Sequence, residues 1–269
     1  MAQVLSFKQR SPRVTLLVVA ALAAVCFLAA LNAASADEFR IETKIFVGDE
    51  EEPVSETTTL FLDGLVYDFL TEPEQVCVFR KPGGGKPGRF ILLDPERRLR
   101  TEVTTPQLAG AMQKLRTWAA QQKDPFLRFA ANPEFEETFA ADTGKLVLAS
   151  HWESYEVETA PAEEPNALAE YREFLDWYTQ LNTLMQAGPP PEPRLRLNSA
   201  LARHRVVPVR VELTRSSDKT PLRAEHDFTW RLSQDDRERI DIANDSLAGF
   251  RKVSNDEFLS GAQPENDAE

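Results

Sequence analysis

Residues Phe39, Ile41, Thr43, Ile45 and Val47 occupy alternate positions, the period of a strand with one buried face. The acidic run from Gly48 to Glu52, closed by Pro53, reads as a turn. Strand character returns at Thr57–Leu62, and Asp63-Gly64 is a strong signal for a tight hairpin. Leu65–Leu70, Gln75–Arg80, Phe90–Leu93 and Leu99–Val103 continue the pattern, with Gly83–Gly88 as a loop and Asp94-Pro95 as a turn. Connections this short join antiparallel neighbours, so residues 39–103 predict a meander of about six strands.

The period then changes. Thr105 is suited to cap a helix and Pro106 to start it. Leu108, Ala111, Met112, Leu115, Trp118 and Ala119 recur at three- and four-residue spacing and predict an amphipathic helix to Gln122, with Trp118 on its core face. Asp124-Pro125 ends it, and Phe126, Leu127 and Phe129 form a short apolar turn. A second hairpin is predicted from Phe135–Ala141 and Lys145–Val157 around Asp142-Thr143-Gly144. Residues 159–166 read as a surface connection rich in Pro and Glu. Leu168, Tyr171, Phe174, Leu175, Tyr178, Leu181 and Met185 mark another long helix, which Gly188 and the prolines 189, 190, 191 and 193 terminate. Val206–Leu213 is a strand whose Pro208 suggests an edge or entry position, with Arg223–Leu232 as its partner. Ser233 to Asp236 has a capping-box pattern and opens a helix to about Gly249. Ser254–Leu259 adds one more turn, and residues 261–269 read as a polar mobile tail. The pattern is α+β, with a single domain over residues 37–260.

The N-terminus is of a different kind. Lys8, Arg10 and Arg13 precede an apolar run from Val14 to Leu31, and Ala34-Ser35-Ala36 follows. A basic start, an apolar stretch and an A-x-A site make up a secretory signal peptide over residues 1–36. At about 18 residues the run is also long enough to stay as an uncleaved membrane anchor. Either outcome places Asp37 onward outside the cytoplasm, in a periplasmic or extracellular setting.

Net charge is −12 for the whole chain. Loss of residues 1–36 with their three cations takes it to −15, which argues against a nucleic-acid partner. Only Cys77 lies beyond the signal segment, so no internal disulfide is available there and the fold rests on its core. Cys77 itself, within Val76-Cys77-Val78-Phe79, reads as a small core residue. Gly83-Gly84-Gly85-Lys86 fails as a phosphate loop: Arg80 stands where the first glycine is needed and Pro87 where the magnesium-binding hydroxyl is needed. His151, His204 and His226 have no metal-ligand spacing, and His151 and His226 fall in predicted strands. The nucleophile-elbow motif is missing. Glu136-Glu137 and Asp235-Asp236 read as solvated turn or cap residues, and the sequon Asn244-Asp245-Ser246 falls inside a predicted helix. No catalytic residue, metal ligand or cofactor is predicted.

The segment Thr57–Thr104 resembles the outer-membrane lipoprotein carrier (LolA-like) family. The likeness is carried by Leu60-Phe61-Leu62-Asp63-Gly64-Leu65-Val66-Tyr67 and by Phe90-Ile91-Leu92-Leu93-Asp94-Pro95-Glu96-Arg97-Arg98-Leu99. Asp124-Pro125-Phe126-Leu127 with the 135–149 hairpin, and Val206–Leu213, are similar too. The resemblance implies a curved antiparallel sheet, a half-barrel, whose concave side is closed by two to three amphipathic helices. It also implies a cavity for acyl chains or hydrophobic peptide, but assigns no cavity residue. The expected function is a non-enzymatic binding protein for a hydrophobic ligand, a lipid or a lipoprotein acyl chain. The alternative is a membrane-tethered interaction or envelope-sensor domain, with residues 14–31 in contact with the membrane.

Overall fold

The alternation over 39–103 becomes six strands in the computed structural model, which describes residues 38–163, 165–218 and 220–260. They are β1 (Phe39–Val47), β2 (Ser55–Leu62), β3 (Leu65–Leu70), β4 (Gln75–Arg80), β5 (Arg89–Asp94) and β6 (Leu99–Thr104), each antiparallel to the next. Asp63 and Gly64 both take positive φ, 51° and 71°, as a two-residue turn matched to strand twist requires. The second meander comprises β7 (Glu136–Ala140), β8 (Lys145–Ala149), β9 (Glu153–Pro161), β10 (Val206–Arg215) and β11 (Leu222–Thr229). Strand β11 pairs with β1 and joins the two meanders. A short β12 (Arg251–Lys252) adds to β6 in parallel. The result is one open sheet of twelve strands in the order β12-β6-β5-β4-β3-β2-β1-β11-β10-β9-β8-β7.

Six helices complete the described α+β fold: α1 (Thr105–Ala120), α2 (Pro125–Ala131), α3 (Pro165–Met185), α4 (Glu192–His204), α5 (Gln234–Gly249) and α6 (Asn255–Ser260). None is long and apolar enough to cross a membrane. The predicted signal segment and the polar tail lie outside the described residues.

Each face of the sheet has its own core. On one face Phe39, Phe61, Phe79 and Phe90 pack under Tyr171 and Phe174 of α3, and Leu146, Leu148 and Val157 pack under Leu197 and Leu201 of α4. On the other, Leu60, Tyr67, Val78 and Ile91 pack under Ile240 and Ala243 of α5. Helices therefore cover both faces, where the sequence reading had placed them on one. Strands β2 to β5 make this possible because they are apolar at consecutive positions, not only at alternate ones.

Several local expectations are corrected. The run 145–157 is two strands: the Ser150 hydroxyl accepts the N–H groups of Trp152 and Glu153 and turns the chain. His151 consequently sits in that turn, exposed, rather than in a strand. Residues 192–204 form α4, which the proline cluster had concealed: Pro193 stands in its first turn, where a missing N–H costs nothing. The cap of α1 is Thr104, one residue earlier than expected, in a capping box with Gln107. Trp118 is 51% exposed, because the buried stripe of α1 runs through Leu108, Met112 and Ala119 and leaves position 118 off its edge. Pro208 lies in an internal strand, and the register shift between Pro208 and Arg210 accommodates its missing donor. Asp236, expected to be solvated, is 2% exposed; it completes the capping box of α5 and pairs with Arg40 at 3.1 Å.

Candidate ligand cavity

The face of the sheet beneath α3 can be followed in rows across the strands. The first row is Phe90, Phe79, Val66, Phe61 and Phe39, from β5 to β1. The second is Leu92, Cys77, Asp68, Thr59, Ile41 and Phe228. The third is Gln75, Leu70, Thr57, Thr43 and His226. Aromatic rings dominate the first row, where Phe39 and Phe61 stack at 4.0 Å and Phe174 meets Phe61 edge-on at 5.7 Å. In the next two rows threonines, an aspartate and a cysteine take central positions, and these short side chains fill less of the space under the helix than the rings of the first row.

A cavity of about 660 Å3 results. Its floor includes Ile41, Thr43, Ile45, Thr57, Thr59, Asp68, Leu70 and Cys77. Its roof is Tyr171, Phe174, Tyr178, Leu181, Asn182 and Met185 of α3, and its sides come from α2, the proline segment 189–193 and the start of α4. That volume falls in the range of small-molecule sites, as does the mixture of apolar wall and few polar groups. A larger groove of about 1040 Å3, between α3 and α4 near Leu168, Trp177 and Leu195, is shallower and has none of these inward-facing polar residues from the sheet.

The polar groups of the cavity fall into three sets. Asp68, 3% exposed, accepts hydrogen bonds from Thr59 Oγ1 and Tyr178 Oη, both at 2.6 Å. Burial raises its carboxyl above the usual carboxylate range, while those two bonds oppose the rise. Glu153 accepts from Arg215 Nε at 2.9 Å and from Tyr155 Oη at 3.3 Å. His226 Nδ1 lies 2.9 Å from Thr43 Oγ1. Its ring is only partly buried, yet Nε2 is shut off from solvent and has no hydrogen-bond partner. Burial, with a smaller contribution from the charge of Arg194, pushes the imidazole down to about 3, so it is neutral near pH 7. Burial likewise pushes the Cys77 thiol well up, making it a packing group rather than a nucleophile.

The structure thus places His226 and Cys77 on the lining of one cavity, on strands β11 and β4 with three strands between them, and leaves His151 and His204 elsewhere. His204 stands on the outside of α4, 2.9 Å from Glu137 of β7. Asp68 and Arg194 were not singled out in the sequence. A weak signal for Asp68 was legible: it is the one charged residue in Leu65-Val66-Tyr67-Asp68-Phe69-Leu70. Among the described residues no group of three His, Cys, Asp or Glu side chains has the arrangement of a metal site. No family model matches the chain, and no curated protein is significantly similar to it.

Proposed function

We propose that this protein is an exported, non-enzymatic carrier that holds a hydrophobic or amphipathic ligand between α3 and the sheet. The observation that carries this reading is the cavity itself. Large side chains close the core along the first row and small ones leave it hollow along the next two. A core under selection for stability alone would be filled there, since each buried methylene gains about 0.8 kcal/mol. Export is supported by the signal pattern of residues 1–36; the sheet is open and not strongly curled, so the half-barrel implied by the LolA-like resemblance is no part of this reading.

Native mass spectrometry of the purified protein, together with titration of a fluorescent hydrophobic dye, tests the proposal. A ligand-bound species and a dye signal that added long-chain amphiphiles displace are expected. Bare protein alone, with no dye response, would overturn the carrier reading.

A further inference from the structure

One side of the cavity carries a cation and a buried ring nitrogen to which the described residues give no partner. Arg194, in the first turn of α4, lines it, and among the described residues no carboxylate lies within ion-pair reach of its guanidinium. The carboxylates that line the cavity are already engaged. Glu153 is held by Arg215 and Tyr155, and Asp68 by Thr59 and Tyr178; Glu192, whose Oε2 is buried without a partner, lies outside the lining, 3.7 Å from Arg116. Two further groups lie within the field of Arg194. One is His226, whose Nε2 is the unpartnered nitrogen. Nδ1 pairs with Thr43 Oγ1, and in the tautomer in which Thr43 donates to it Nε2 carries the hydrogen. The other is Tyr171, in the roof, whose hydroxyl stays protonated because burial pushes it up to about 12.

A buried nitrogen without a partner is costly and calls for an explanation. An anion in the hollow would answer both groups, pairing with the guanidinium and accepting from Nε2 in the tautomer in which Thr43 donates to Nδ1. A guanidinium meets a carboxylate in planar, two-point fashion, with bonds shorter and stronger than those between neutral groups. From this point Ile45, Leu70 and Met185 offer an apolar path for a chain.

We propose that Arg194, assisted by Tyr171 and His226, seats the carboxylate of a single-chain fatty acid whose tail follows Ile45, Leu70 and Met185. This rests on the carrier reading above and names its ligand class.

Dye-displacement titrations with palmitic acid, hexadecan-1-ol and hexadecyltrimethylammonium at pH 8 separate the two proposals. The acid is expected to bind at least about tenfold more tightly than the alcohol, the scale of one hydrogen bond to a charged group. Arg194→Gln should erase that preference while leaving alcohol binding unchanged, which also shows that the variant is folded; Arg194→Lys should keep part of it. Equal binding of acid and alcohol, tightest binding of the ammonium, or a preference that survives Arg194→Gln would overturn the seat and leave the carrier intact. Failure of all three amphiphiles to displace the dye would overturn both.

Discussion

His226 shows how a single side chain couples the cavity to stability. Its folded value is about 3, against an ordinary 6.5. Between those values the unfolded chain binds a proton that the folded chain refuses. Stability from this group is therefore complete above about pH 6.5 and is lost as pH falls toward 3, by at most about 1.4 kcal/mol per pH unit. Asp68 acts in the opposite sense. Its carboxyl is held up by burial, so the folded chain takes the proton first, and the stability it costs near neutrality is regained on acidification. Replacing one group isolates its contribution. Urea unfolding of His226→Gln should lose less stability than the parent between pH 7 and pH 4.5. Parallel pH profiles for the two proteins would show that the imidazole is not buried as described.

At the scale of elements, the ends of helices were more legible than their packing. Ser233 and Asp236 spell a capping box, and the structure forms it: Ser233 Oγ accepts from the Asp236 N–H at 3.1 Å, and Asp236 Oδ2 accepts from the Ser233 N–H at 2.9 Å. Ser233→Ala should cost about 1 kcal/mol by chemical denaturation. Asp236→Ala should cost more, about 2–3 kcal/mol, because it also removes the partner of Arg40 across 196 residues of sequence. If the serine were the costlier of the two, the ion pair would carry little. Strand periods were legible for the same local reason, since alternation records which neighbour faces the core. Helix α4 was missed because its prolines carry two meanings, the end of one helix and the start of the next, and local sequence does not separate them. Trp118 was misplaced by one helical position, which on a 100° step is enough to carry a ring from the core stripe to solvent.

For the whole molecule, the decisive feature is the alignment of short side chains from strands distant in sequence. Thr57, Thr43 and His226 become neighbours only through the pairing of β2 with β1 and of β1 with β11. Filling that row should separate binding from folding. Thr57→Phe places a ring where the floor is hollow, so stability should stay within about 1 kcal/mol of the parent, in contrast to overpacking of a closed core. Dye and amphiphile binding should fall at least about tenfold. A strongly destabilised variant would mean that no usable space exists at that position.

The amino-acid sequence alone determined the α+β class, most strands and turns and the capping box of α5, because each depends on residues within a few positions of one another. It left open which helix covers which face, the burial of Asp68 and the grouping of Arg194 with His226 and Tyr171. Those depend on strand register and on the path of α3 and α4 over the sheet. Contacts between residues tens to hundreds of positions apart leave no period in the chain, and so only the tertiary structure decided where the core would be solid and where it would be hollow.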